Sequence, residues 1–223
     1  MDFAEHIINF YQNLKIPKGK LPSNIEWINS VAKADVQESI KIFYSKFYAD
    51  HEPRTLLTGI NPGRLGAGIT GIGFTDPINL ELHCGIPNNF DKKNELSSRF
   101  IFDVVQAAGG AEAFFSKVYI TSMCPLGFVK EGINLNYYDD KELIAKVWPF
   151  MQTEFKKQMK FPVKTKTGYS IGKGLNFKYL QKINKELNLF DEVKPLPHPR
   201  WVMQYRLKSK NKYIDKYLEV LLG

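Results

Sequence analysis

The chain has 223 residues, enough for one sizeable hydrophobic core, and its apolar content of 43% is ordinary for a globular protein. Two cysteines cannot form an iron–sulfur or four-ligand zinc site without several histidines, and the chain has only four histidines. No apolar run approaches the roughly 18 residues of a membrane helix, and the first residues lack a signal-peptide layout. We therefore expect one monomeric, cytoplasmic domain spanning residues 1–223, with no metal and no cofactor.

The formal net charge of +8 is unevenly distributed along the chain. Residues 1–140 contain 13 Lys/Arg and 16 Asp/Glu, whereas residues 141–223 contain 18 Lys/Arg and 7 Asp/Glu. A strongly basic second half indicates either a polyanionic partner, most simply nucleic acid, or a solvated lysine-rich surface.

Two amphipathic helices are predicted in the first 50 residues. Apolar residues recur there at the three- and four-residue spacing of a helix face. The first stripe contains Phe3, Ile7, Phe10, Tyr11 and Leu14, and the second contains Val36, Ile40, Phe43 and Phe47. We expect both helices to pack on the core of the domain.

The rest of the chain alternates between predicted strands and helices. Strands are predicted at residues 54–59, 117–122, 167–171 and 190–196. Helices are predicted from Ser97-Ser98 to Gly109-Gly110, at 139–160, at 175–187 and at 213–222, and Pro149 either kinks the second of these or begins a new helix. Residues 76–94 are predicted to be irregular. This alternation predicts a three-layer α/β/α domain around a central, mainly parallel four-stranded sheet.

Four loops follow the carboxyl ends of these strands, at residues 61–74, 123–132, 172–174 and 197–206. Ligands of open α/β sheets bind at that edge. Asn61 opens the first loop in an Asn-Pro-Gly turn, and His198 in the fourth is held between two prolines, which restrict its backbone. With no nucleophile, metal or evident carboxylate beside them, the two side chains suit a reaction that needs electrostatic support for a leaving group.

Three motifs resemble one family. The segment Gly59–Phe74 resembles the first motif of the uracil-DNA glycosylase superfamily, and more narrowly of its single-strand-selective monofunctional (SMUG) branch. Met123-Cys124-Pro125-Leu126 and His198-Pro199-Arg200 resemble later motifs of that branch, so the match covers about residues 55–206. Three motifs in the same order are considerably more specific than a glycine-rich loop alone.

The resemblance implies an enzyme that hydrolyses the N-glycosidic bond of uracil in DNA and leaves an abasic site without cutting the strand. The target nucleotide would be flipped into a pocket. Asn61 would position the attacking water, and His198 would donate a hydrogen bond to the base oxygen as negative charge develops there. The residues implied around the base are Gly59, Ile60, Gly63, Phe74 and Ser122, with Phe74 stacked on it.

The same resemblance implies contacts with DNA from the second half of the chain. The implied DNA-contacting residues are Lys173, Arg200, Trp201, Met203, Arg206 and Lys208. Arg200, Trp201 or Met203 would fill the gap left by the flipped base, and Arg206 and Lys208 would contact phosphates.

Two positions depart from the family pattern. Ser122 stands where the SMUG branch has a base-reading asparagine. Near Ala67 the family has a methionine associated with the 5-substituent of the base, and this chain lacks that methionine. A hydroxyl rotates and reaches less far than an amide. We therefore hypothesise a broader pocket that also accepts deaminated purines such as xanthine or hypoxanthine.

Two alternative functions remain open at this point. One is a nucleic-acid-binding protein on the same fold with weak or no catalysis. The other is an unrelated α/β enzyme that binds a nucleotide at the glycine-rich loop.

Overall fold

The computed structural model describes all residues, 1–223. The strands are β1 (Ile25–Ile28), β2 (Thr55–Gly59), β3 (Val118–Ser122), β4 (Gly127–Lys130), β5 (Ile133–Leu135), β6 (Thr167–Ile171) and β7 (Glu192–Leu196). The helices are α1 (Phe3–Gln12), α2 (Ala34–Phe47), α3 (Ala67–Thr70), α4 (Pro77–Leu82), α5 (Leu96–Ala107), α6 (Ala111–Phe115), α7 (Lys141–Gln158), α8 (Leu175–Leu187), α9 (Pro199–Tyr205) and α10 (Lys210–Leu222). Two short 3₁₀ turns lie at Ser30–Ala32 and Leu207–Ser209.

The central sheet has four strands in the order β3-β2-β6-β7, and every neighbouring pair is parallel. This confirms the predicted fold class. All five residues of β2 are buried, as a strand covered on both faces requires. Because the strands are parallel and in register, Gly59 lies opposite Ser122 and Ile171 lies opposite Leu196. The four carboxyl ends therefore meet at one edge.

A second sheet was not predicted. It is antiparallel, with the order β1-β4-β5, and its strand β4 occupies residues 127–130 of the loop expected at 123–132. The hairpin between β4 and β5 turns at Glu131 and Gly132, both with positive φ. This sheet places Asn134 and Leu135 of β5 beside the first loop of the central sheet, because Asn134 Oδ1 accepts a hydrogen bond from the backbone N–H of Arg64 at 3.0 Å.

Three further sequence expectations were wrong. Residues 76–94 contain a helix, α4, whose first turn begins with Pro77 and is capped by the Asp76 carboxylate. Residues 199–205 of the fourth loop form α9, whose N-cap is His198. Helix α5 begins at Leu96, so Ser97 and Ser98 lie inside its first turn and do not cap it.

Of the two alternatives for Pro149, a new helix is excluded, because α7 continues through this residue.

The core is one continuous cluster of buried apolar side chains that extends from Phe3 to Leu221. Helices α1 and α2 pack on each other, and their side chains belong to this cluster. Arg54 is fully buried, and both ends of its guanidinium bind the Asp50 carboxylate at 2.7 Å. None of the helices combines the length and apolar character needed to cross a membrane.

Candidate active site

Two adjacent cavities open at the carboxyl edge of the central sheet. The first, which we call the Asn61 cavity, has a volume of about 330 Å³. Its wall is formed by Ile60, Asn61, Gly63, Phe74, Glu95, Ser97, Asn134, Leu135, Asn136, Tyr138, His198 and Arg200. The second, the Trp201 cavity, has a volume of about 560 Å³ and shares Ile60, Tyr138 and His198 with the first.

The Asn61 side chain is held by the chain that follows β5. Its Oδ1 accepts a hydrogen bond from the backbone N–H of Tyr137 at 3.0 Å, and its Nδ2 donates to the backbone carbonyl of Leu135 at 3.2 Å. These two bonds fix which end of the amide is oxygen. A carbonyl oxygen has two lone pairs, so Oδ1 keeps one for a further donor such as water.

The His198 ring is also held in one protonation and tautomeric state. Its Nδ1 accepts a hydrogen bond from the backbone N–H of Arg200 at 3.2 Å, and this bond caps α9. Burial and then the positive charge of Arg200 lower the pKa of His198 to about 4. The neutral imidazole with an occupied Nδ1 carries its proton on Nε2, so Nε2–H remains a donor.

Phe74 supplies the aromatic wall. Its φ is +54°, in the left-handed region. A Cβ at Gly59 would lie 2.7 Å from the Phe74 ring, so the ring can lie against the end of β2 only because residue 59 has no side chain.

Glu95 is a site residue that the sequence analysis missed. It precedes α5, its side chain lines the Asn61 cavity, and its backbone N–H donates to Asp76 Oδ2 at 3.0 Å. Burial and then the negative charge of Asp76 raise the pKa of Glu95 to about 7, although Arg200 acts in the opposite direction. The expectation that no carboxylate lies beside Asn61 was therefore wrong. The available signal was an acidic residue at the start of a predicted helix.

Two of the predicted site residues lie elsewhere. Ser122, at the end of β3, lines a narrow space of about 10 Å³ with Pro62 and Gly73 and does not line the Asn61 cavity. Met203 is only 8% exposed because it lies on the inner face of α9. A buried side chain cannot fill a gap in DNA, so Met203 is removed from the wedge candidates.

The Trp201 cavity contains more of the predicted DNA-contacting residues. Lys173 lies in its wall between Gly172 and Gly174, just before α8. Trp201 is 38% exposed and packs edge-on against Tyr213, with ring centroids 5.8 Å apart. The Arg206 guanidinium lies 4.9 Å from the centre of the Trp201 ring, and Lys208 is exposed just beyond α9.

Comparisons with known proteins agree with this arrangement. The model of the uracil DNA glycosylase superfamily matches residues 45–222. The chain belongs to the uracil-DNA glycosylase superfamily. The crystal structure of wild-type SMUG2 from Pedobacter heparinus superposes with a TM-score of 0.95 at 40% sequence identity, over 99% of this chain and 97% of that one. No match was found among curated proteins.

The superfamily assignment confirms the resemblance drawn from the three motifs, including its SMUG branch. It supports a DNA glycosylase function of the uracil-DNA glycosylase type. The matched region contains both cavities and every residue proposed above for the site.

Proposed function

We propose that the protein is a monomeric, single-domain, cytoplasmic DNA glycosylase that hydrolyses the N-glycosidic bond of uracil in DNA. The observation that carries this proposal is the convergence of Asn61, Phe74 and His198 on one cavity at the carboxyl edge of the sheet. An amide, an aromatic ring and a neutral histidine are suited to hold a water, a planar base and a developing anion.

In the proposed reaction the target nucleotide leaves the stack and its base enters the Asn61 cavity, because the glycosidic bond is inaccessible within stacked DNA. The base stacks on Phe74, whose ring lies against Gly59, and Ile60 and Gly63 form further parts of the cavity wall. His198 Nε2–H donates to a base oxygen as the C1′–N bond breaks. Such a preorganised donor contributes about 3–4 kcal/mol in other enzymes.

Asn61 holds the attacking water through the free lone pair on Oδ1. The Leu135 and Tyr137 backbone groups keep the amide in this orientation, so no reorientation is required when the substrate binds. The product is an abasic site and a free base.

The proposed enzyme is monofunctional. No lysine lines the Asn61 cavity, and Lys173 belongs to the wall of the neighbouring Trp201 cavity. Strand cleavage by a glycosylase of this kind would need an amine at C1′. We therefore expect hydrolysis without strand cleavage.

The proposed substrate range includes deaminated purines. The base-reading amide of the SMUG branch is replaced by Ser122, whose hydroxyl does not line the Asn61 cavity. With fewer fixed groups at the base edge, discrimination against xanthine and hypoxanthine is expected to be weaker.

DNA is the proposed partner. We expect Lys173 and the N-terminus of α8 to contact a phosphate, and the exposed Arg206 and Lys208 to do the same. Arg200 and Trp201 are both exposed at the start of α9 and remain the two wedge candidates.

The test is a base-release assay with purified protein. Oligonucleotides that contain uracil, xanthine, hypoxanthine or 5-hydroxymethyluracil, each in single and double strands, are incubated and then treated with or without alkali. We expect strand breaks at uracil only after alkali. DNA binding without any alkali-labile site would favour the inactive binding protein, and breaks without alkali would contradict the monofunctional mechanism.

A further inference from the structure

The Glu95 carboxyl is the one carboxyl group in the wall of the Asn61 cavity. Its backbone N–H is bonded to Asp76, but neither carboxyl oxygen has a hydrogen-bond or ion-pair partner within the protein. The other candidate proton acceptors are poorly suited, because the amide of Asn61 is not basic and Nδ1 of His198 is occupied by the Arg200 N–H.

The position of Glu95 is fixed by a buried anchor. Asp76 is fully buried, and its two carboxylate oxygens accept from the backbone N–H groups of Asn79 and Glu95. The Ser98 hydroxyl accepts from the backbone N–H of Asp76. These bonds join the starts of α4 and α5 and hold Glu95 at the cavity wall.

The glycine-rich loop leaves room for the Glu95 carboxyl. A Cβ at Gly66 would lie 1.9 Å from Glu95 Oε2, so the carboxyl lies directly against the Gly66 backbone. A Cβ at Gly63 would lie 3.3 Å from Asn134 Nδ2 and 3.7 Å from Glu95 Oε1. The missing side chain of Gly63 therefore leaves a small space between an amide donor and a carboxylate acceptor.

This space lies beside Asn61, two residues before Gly63 in the same turn. A water molecule is retained in a protein site when it has two to four polar partners. Glu95 Oε1 and Asn134 Nδ2 supply an acceptor and a donor beside this space. Asn61, whose Oδ1 keeps one free lone pair, lines the same cavity.

We propose that Glu95 is the general base of the reaction and takes a proton from the attacking water. This inference rests on the proposed function. As the water oxygen forms its bond to C1′, one water proton passes to the Glu95 carboxylate. The C1′–N bond breaks, and its electron pair leaves with the base as an anion that accepts the His198 Nε2–H hydrogen bond. The proton on Glu95 is then released to solvent or to the departing base.

The charges around Glu95 allow this role near neutral pH. Burial and Asp76 raise its pKa to about 7, and Arg200 favours the ionised form. The other titratable groups of the cavity do not change state in this range, because the pKa of His198 is lowered to about 4 and burial raises that of Tyr138 to about 12. A general base is most effective when its pKa lies near the working pH.

The experiment measures single-turnover uracil release from a single-stranded oligonucleotide between pH 5 and pH 9. We expect the wild-type rate to rise about tenfold per pH unit below pH 7 and to level off above it. Glu95→Gln keeps the size of the side chain but cannot accept the proton. We expect it to lower the plateau rate by about 100-fold or more and to abolish the rise with pH.

Three controls separate this role from a structural one. Glu112→Gln changes an exposed glutamate of α6, at the opposite end of β3, and should leave the rate and its pH profile unchanged. Substrate affinity and thermal unfolding of Glu95→Gln are measured in parallel, and we expect affinity within about threefold of wild type. Glu95→Asp, which retains a carboxyl on a shorter arm, should recover part of the pH dependence.

The outcomes distinguish the two proposals. A Glu95→Gln variant with the wild-type rate and profile would overturn the role of Glu95 and leave the glycosylase function intact. A wild-type rate that falls as pH rises through 7 would also overturn it, because the protonated carboxyl would then be the active form. No release from any substrate by the wild-type protein would overturn the proposed function, and the general base with it.

Discussion

The Asn61 cavity and the Trp201 cavity share a wall at Ile60, Tyr138 and His198, but they are built from different kinds of residue. In the Asn61 cavity, Asn61 and His198 are held by backbone hydrogen bonds. In the Trp201 cavity, the projecting groups are the exposed side chains of Lys173, Leu175 and Trp201.

This difference separates chemistry from binding. Fixed polar groups that need no reorganisation are suited to stabilise a transition state, whereas a flexible lysine and an exposed aromatic ring suit the backbone and bases of any sequence. Substitutions in the first cavity should therefore change the rate at saturating DNA, and substitutions in the second should change affinity.

The largest effect is expected for His198→Ala. Loss of the Nε2–H donor should lower the single-turnover rate of uracil release about 10²- to 10³-fold, with DNA affinity nearly unchanged. Because His198 also caps α9, His198→Asp is the matched variant: it retains a capping acceptor and has no N–H donor. If His198→Asp restored the rate, the cap and not the donor would be responsible. His51→Ala, at an exposed histidine, serves as the control.

Asn61→Ala should lower the same rate about 100-fold, because the water loses its fixed acceptor. The backbone groups of Leu135 and Tyr137 lose their partner as well, so unfolding is measured alongside. A variant that bound DNA poorly but released uracil at the wild-type rate would show that Asn61 serves DNA binding and not catalysis.

The placement of these two residues could be predicted from the sequence, and that of Glu95 could not. Asn61 and His198 follow strands whose patterns are local, and parallel strands bring their carboxyl ends to one edge. The predicted bounds of β6 and α8 agree with the structure for the same reason. Glu95 reaches the cavity only because Asp76 ties the start of α5 to that of α4, which no local pattern contains.

The second sheet was missed for a related reason. β1 has four residues, and it pairs with β4 from a distant part of the chain, with Ile25 opposite Lys130. Short strands with non-local partners leave little periodic signal. Likewise, the burial of Met203 became visible only once residues 199–205 were known to be helical, since the helix turns Met203 inwards while Trp201 stays exposed.

The next effect concerns stability rather than rate. The folded-state pKa of Glu95 is raised from 4.5 to about 7, so the unfolded state ionises first as pH rises. The contribution of Glu95 to the free energy of unfolding is fully present below pH 4.5. It falls by on the order of 3 kcal/mol as the pH rises to about 7. In urea unfolding, the free energy of unfolding of Glu95→Gln should therefore rise relative to that of the wild type as the pH increases across this range. A difference that does not vary with pH would contradict the raised pKa.

Trp201→Ala should weaken binding to single-stranded DNA about 5- to 100-fold, the usual effect of losing one stacking platform. The release rate at saturating DNA should change less than twofold, and a larger loss would identify Trp201 as the wedge. Met203→Ala is the contrast within α9, because truncating this buried side chain should cost about 2–5 kcal/mol of stability and leave the affinity of the folded protein unchanged. Equal losses of affinity in both variants would reinstate Met203 as a DNA contact.

The smallest effect is expected for Lys173→Ala. If Lys173 neutralises one phosphate, its loss should reduce the slope of log K against log salt by about 0.7 to 1 and weaken binding only a few-fold at moderate salt. The rate at saturating DNA should not change, because Lys173 lies outside the Asn61 cavity. Lys117→Ala, which alters an exposed lysine before the amino end of β3, should leave the slope unchanged. A loss of rate without a change in slope would show that Lys173 acts in catalysis, like the fixed groups of the Asn61 cavity. The assignment of catalysis to one cavity and of binding to the other would then be wrong for Lys173.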